Sequence, residues 1–434
     1  MLRVYRFLIL YAGLLFVAAR SVSAQPEAAP IILTLDDAVK RGIENNLALQ
    51  KNFIDLSAAG YSANRVWSEL FPAISGTLGA SYSGNLFSGD GFASGSGGFN
   101  AGLGINLTLN AGIPYAMKNI RLAYQTKLLS YEDARNQLEI QLTKIFYALI
   151  SDHENLDTLA DMLNLAQLQY EKNQVAFRNG LIRELALMQS KLSLENARYN
   201  LNAARSAYTG KLNDFLVQLG LDFNTDVLLE GKIETTKVEF DTEQLIKENL
   251  PRRPDIVSRR QEIERLENSA RQTAFANRAP SLRLSADWSS KNFSPFSDTL
   301  SGSATLSIPV DPWIPGTGKS QSVYNAKLAA EKAKLDLQSA ENAASLQIRS
   351  LAANLNNSWD NIEIARLGLT IAERTHQLAD QGFKNGTVEA LTLENALQDL
   401  VDARQKLLQS ELSYFNTVLD ISAALNLSWK DFTQ

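Results

Sequence analysis

The sequence predicts a mainly helical chain that carries a few membrane-type β-strands and is built from two similar halves. Three observations lead there. The stretch FRNGLIRELALMQSKLSLENAR, beginning at Phe177, returns 206 residues later as FKNGTVEALTLENALQDLVDAR, beginning at Phe383, with Phe, Asn, Gly, three Leu, Ala and Arg in the same eight places. Four segments of about ten residues, arranged in two pairs, alternate apolar and polar side chains. Two stretches, from about Tyr115 to Asn179 and from about Lys319 to Asn385, hold no proline and almost no glycine, as long helices require.

In chain order, residues 1–24 read as an export signal: Arg3 and Arg6 precede the 13-residue apolar run FLILYAGLLFVAA, and Ser23 and Ala24 offer a cleavage site before Gln25. The run is short for a membrane-spanning helix and of signal-core length. The chain has no cysteine, which excludes disulfides, thiolate metal sites, a cysteine nucleophile and a lipid-modified N-terminal cysteine. A net charge of -5 without a basic block excludes nucleic acid as a partner.

Residues 25–70 hold an N-terminal segment and a first helix, opened by LTLDDAVKRGIENNLALQ. Residues 71–113 form a first β-hairpin: Leu78, Ala80 and Tyr82 interleave with Gly79, Ser81 and Ser83, then Leu103, Ile105, Leu107 and Leu109 with Gly104, Asn106, Thr108 and Asn110, and the loop NLFSGDGFASGSGGFN (85–100) lies between them. A long helical hairpin follows over 114–218, with its tip near 179–182, and a linker over 219–245 contains VLLEGKIETTK. The second half repeats the layout. It has a helix at 246–279, a β-hairpin at 280–314, a helical hairpin at 315–427 with its tip near 385–388, and a tail at 428–434. In that β-hairpin Leu282, Leu284, Ala286 and Trp288 alternate with polar residues, as do Ala304, Leu306, Ile308 and Val310, across the loop KNFSPFSDTLSG (291–302).

Ten residues is the length a tilted strand needs to cross a bilayer, and Tyr82, Phe87, Phe99, Trp288, Phe293 and Trp313 lie near strand ends, where interfacial aromatics belong. Ordinary half-buried strands of a soluble sheet fit the alternation equally well. In lipid, however, every backbone amide must be paired, so a sheet must close, and closure takes about eight strands. Four strands per chain span a membrane only if several chains share one barrel. A continuous helix of about 60 residues would be roughly 90 Å long and calls for coiled-coil packing, the alternative being shorter stacked helices. Asn179-Gly180 and Asn385-Gly386 stand where each long helical pattern ends and a second begins. Glycine there takes the left-handed conformation that stops a helix, so each marks a hairpin tip, with Phe177 and Phe383 expected to pack beneath the turn.

Taken together, the LTLDDAVKRGIENNLALQ opening, the paired FPAISGTL and APSLRLSA strand starts and the doubled F-[RK]-N-G tip resemble the outer-membrane efflux (TolC-like) channel family over essentially the whole mature chain. The resemblance implies a homotrimer whose shared 12-stranded barrel continues into an α-barrel tunnel through the periplasm. It implies a passive exit duct in the outer-membrane lipid, docked through its tips to a periplasmic adaptor (membrane fusion) protein and thereby to an inner-membrane transporter. The tip residues carrying that contact would be Phe177, Asn179, Gly180, Leu181, Phe383, Asn385, Gly386 and Thr387. The gate would lie just past the tips, at Arg183, Glu184, Glu389, Thr392 and Asn395; two positions often acidic in the family are Thr392 and Asn395 here. Arg183 and Glu389 occupy equivalent tip positions with opposite charge. They would either pair across neighbouring hairpins or stand as solvated charges contributing under about 1 kcal/mol.

No catalytic, cofactor or metal motif is present in the sequence: His153 and His376 sit in helical runs without ligand spacing. An exported coiled-coil rod of structural or adhesive type, without a pore, is the competing reading. It leaves the paired strand hairpins unexplained.

Overall fold

The computed structural model of the chain describes residues 31–84, 95–223, 225–293 and 296–432. The export signal and Phe87 lie outside these residues.

A short strand β1 (Ile31–Thr34) leads into α1 (Leu35–Asn45) and α2 (Leu47–Asn64). The Thr34 side chain caps α1 by accepting from the Asp37 amide, and Asn46 breaks the helix and caps α2 by accepting from Leu49. Next come β2 (Ala73–Gly84), β3 (Gly95–Asn110) and the 66-residue helix α3 (Ile113–Arg178), which is roughly 100 Å long. Helix α4 (Glu184–Gln218) runs back along it, and β4 (Val227–Glu230) pairs in parallel with β1. The second half then repeats the order with α5 (Thr242–Asn249), α6 (Pro254–Arg278), β5 (Ser281–Phe293), β6 (Phe296–Ser307), α7 (Gly318–Lys384) and α8 (Ala390–Leu425).

The four long strands form one antiparallel sheet in the order β2-β3-β5-β6, so β3 and β5 join the halves while β2 and β6 are left at the edges. The register sorts side chains onto two unlike faces. Ile74, Ile105 and Ala286 share one row; Leu103, Trp288 and Leu300 share another; Leu109, Leu282 and Leu306 share a third. All three rows lie on the apolar face, where Leu78 is 90% exposed. On the opposite face the side chains are Gly, Ser, Thr and Asn with few exceptions.

The loops are shorter than the sequence suggests. Gly95–Asn100 is strand, and so is most of 291–302, where β5 and β6 continue to Phe293 and from Phe296. These residues are rich in Gly and Ser and lack alternation. Their strand conformation comes from ladder hydrogen bonds to a neighbour already in register. In the other direction, β6 stops at Ser307, before Ile308 and Val310.

The two halves also repeat in their cores. Leu142, Leu149, Tyr208, Leu212, Phe215 and Leu219 pack in the first, and Ile348, Leu355, Tyr414, Val418, Ile421 and Leu425 in the second, each pair separated by the same 206 residues as the tips. In α7 the buried positions Ile348, Leu355 and Ile362, and then Ser358, Ala365, Ala372 and Ala379, recur every seven residues. That spacing imposes left-handed coiling, and the alanines let the partner helix come close. Toward the tips the helices meet side by side in the order α4-α3-α8-α7, and toward the sheet in the order α2-α3-α6-α7, with antiparallel neighbours throughout.

One titration follows from this packing. Burial, and then the nearby Glu411 carboxylate, hold Glu154 above the ordinary carboxylate range against the pull of Lys232 and His153. A raised folded-state pKa means that ionised Glu154 subtracts from stability once pH exceeds its unfolded value. Glu154→Gln is therefore expected to raise the melting temperature at neutral pH, with the gain vanishing as pH falls to about 4, as circular dichroism in mild detergent would show.

Candidate functional site at the hairpin tips

Both helical hairpins turn by the same device. In the first, the Gly180 amide donates to Phe177 O at 2.9 Å and the Leu181 amide reaches back to Ala176 O at 2.9 Å. In the second, Gly386 donates to Phe383 O at 3.0 Å and Thr387 to Gly382 O at 2.9 Å. The two glycines have φ of 71° and 72°, the left-handed conformation of a Schellman cap. Arg183 and Glu389 then stand as the residues immediately preceding α4 and α8, with nearly identical backbone angles.

Beneath the turns the tips differ. Phe383 is seated on Ala379, Leu393 and Ala396. The equivalent residues in the first tip are Asn173, Leu187 and Ser190, of which Asn173 and Ser190 are buried. Ser190 donates to Leu187 O at 2.9 Å, and the Asn173 side chain accepts from Gln169 at 3.1 Å. With two of its three seat positions polar, Phe177 is 38% exposed rather than packed beneath its turn as expected. Leu181 is 75% exposed, and Leu185, Met188 and Leu192 continue an exposed apolar stripe up α4.

Arg183, Glu184, Glu389, Thr392 and Asn395 are all exposed. Among the described residues no ion pair joins Arg183 to Glu389 within the chain. Lys384 instead pairs with Asp380 one turn below it. Between the two hairpins, short of the tips, lies a cavity of about 260 Å³ lined by Gln169, Lys172, Ser190, His376 and Glu394 among others. Sequence reasoning missed it, because its walls come from four helices that only the contacts of α8 with α3 and α4 bring together. No group of His, Asp and Glu able to hold a metal ion occurs among the described residues. No described helix is long and apolar enough to cross a membrane.

A four-stranded sheet with one apolar and one polar face, set on two long coiled hairpins, defines the class: a subunit of a channel that passes from β-sheet to helical tunnel. The outer membrane efflux protein family model matches residues 38–220 and again 245–427, once on each half, and the chain belongs to that family. The antibiotic efflux pump outer membrane protein ArpC of Pseudomonas putida is 23% identical, over 92% of this chain and 84% of its own length. Among solved structures, CusC superposes with a TM-score of 0.75 at 17% identity, covering 91% of this chain and 92% of its own. The Campylobacter jejuni CmeC outer membrane channel gives 0.74 at 19%, covering 90% and 85%. The open state of the Neisseria gonorrhoeae MtrE outer membrane channel gives 0.73 at 16%, covering 92% and 90%. The family decides for the channel over the pore-less rod.

Proposed function

We propose that this chain is one of three identical subunits of an outer-membrane exit duct, which receives solutes from a periplasmic adaptor and an inner-membrane transporter and conducts them passively outward. The carrying observation is that both layers of the subunit end in open, mutually complementary edges. In the sheet, β2 and β6 are unpaired on their outer sides and run in opposite directions, so β6 of one copy can pair antiparallel with β2 of the next. Three copies of the four strands make twelve, enough to close a barrel that satisfies every amide in lipid. In the helical layer toward the tips the open ends are α4 and α7, also antiparallel. The first carries the exposed stripe Leu185, Met188, Leu192 and Tyr199, and the second carries Ile364, Leu367, Ile371 and Leu378.

Export with loss of residues 1–24, and attachment without a lipid anchor, belong to the same reading. Phe177, Asn179, Gly180, Leu181, Phe383, Asn385, Gly386 and Thr387 are then the surface the adaptor meets. Arg183, Glu184, Glu389, Thr392 and Asn395 surround the periplasmic mouth, where a contact between Arg183 and Glu389 would have to form between neighbouring hairpins. Of the relatives named above, ArpC is an efflux pump outer membrane protein and CmeC and MtrE are outer membrane channels, and the duct proposed here needs no catalysis of its own.

The absence of native cysteine makes a clean test. Met188 and Leu378 each lie eight residues from their tip glycine, within about the last two helical turns of the tunnel. The double variant Met188→Cys, Leu378→Cys, oxidised in outer-membrane fractions, is expected to give a covalent ladder that stops at three. A ladder absent, or one that runs past three, would sink the trimeric duct.

A further inference from the structure

Five successive rows of the polar sheet face, read from the helical end outward, are Asn110–Ser281–Ser307, Thr108–Arg283–Thr305, Ala73–Asn106–Ser285–Ser303, Ser75–Gly104–Asp287–Ser301 and Thr77–Gly102–Ser289–Thr299. Eighteen positions thus hold two charges, Arg283 and Asp287, both on β5. The hydroxyls are engaged locally: Ser285 and Ser303 lie 2.8 Å apart, and Ser301 donates to the Asp287 carbonyl at 3.3 Å. The Asp287 carboxylate lies across the bare backbone of Gly104, where an added Cβ would stand 2.8 Å from Oδ1 and 3.1 Å from Ser75 Oγ. Glycine there keeps the carboxylate against the wall. Arg283 and Asp287 are exposed, and neither makes an ion pair among the described residues.

We propose that Arg283 and Asp287 are the charge-sorting residues of these five rows of the barrel bore. This rests on the duct reading, in which the polar face lines the bore and three copies repeat each charge as a ring. The two rings stand four residues apart along the strand, about 13 Å. A charged solute leaving the tunnel meets the arginine ring first and the aspartate ring second, with a neutral hydroxyl and amide lining around them. Because that lining has no other charge in these rows, each ring sets the local potential over its own layer, and an anion and a cation are slowed at different levels.

The test is ion selectivity of the purified full-length protein in a planar bilayer under a KCl gradient near 0.1 M, where the Debye length is about 10 Å. Asp287→Asn is expected to move the potassium-to-chloride permeability ratio about twofold toward chloride, and Arg283→Gln about twofold toward potassium, the modest size that a wide, screened bore allows. The double variant is expected to return toward the parent ratio. Parent-like ratios in all three variants, with conductance intact, would overturn the assignment. If the parent itself fails to conduct, the duct reading falls, and this inference with it.

Discussion

Leu78→Lys is expected to destabilise the membrane-inserted protein by about 2–4 kcal/mol, while Thr77→Lys, one residue away, changes stability by no more than about 0.5 kcal/mol. The contrast follows from the strand's period of two. Leu78 lies mid-strand in β2 on the apolar face and is 90% exposed in the single chain, and in the proposed duct lipid covers it. Thr77 points to the other face, in a row with Gly102, Ser289 and Thr299. Urea unfolding from lipid vesicles would measure both. Equal costs for the two would mean that the faces are not divided between lipid and water, and the barrel would have to be abandoned.

Phe146→Ala is expected to cost about 3–5 kcal/mol, among the largest effects of any single truncation in the helical layer. Phe146 is completely buried on α3 between α1, α4 and the β1–β4 pair, with its ring 6.4 Å from that of Phe215. No collapse can close that void, because α1 and β1 are held by their own caps and ladder. The equivalent residue in the second half is Ala352, also buried. There a cavity of about 250 Å³, lined by Phe240, Leu355 and Ala352 itself among others, stands where the first half has its aromatic ring. Ala352→Gly is therefore expected to cost about 1 kcal/mol, and thermal melts of both variants would show the asymmetry between otherwise parallel cores.

The long helices were legible because they depend on what is missing. Without proline, and with glycine confined to Asn-Gly pairs and two interior positions, about 65 residues have no reason to leave the helix, and α3 and α7 end within one residue of the tips read from the sequence. The tips were legible because a left-handed residue needs glycine. The ends of the strands were hidden for the opposite reason. In Gly95–Asn100 and Phe296–Gly302 the side chains carry no period, and pairing with a neighbour decides the conformation. Strand β1 was missed because its partner β4 lies almost 200 residues away and neither is long enough to show alternation. At the tips, the polar seat beneath Phe177 could have been read from Asn173 and Ser190, had the repeat been aligned below the turn as well as across it.

The doubled hairpin has a geometric consequence. In the trimeric duct proposed above, six tips around a threefold axis would form a sixfold rosette if the two halves were alike, and any partner would find six equivalent landing places. Joining the halves in one chain lets alternate members of the rosette drift apart without losing the shared backbone turn. One member here is greasy and basic, with Leu181, Leu185 and Arg183 exposed; the next is polar and acidic, with Thr387 and Glu389. A hexameric ring of identical partner molecules would thus face two alternating kinds of socket. It could grip firmly through one set while leaving the other free to move.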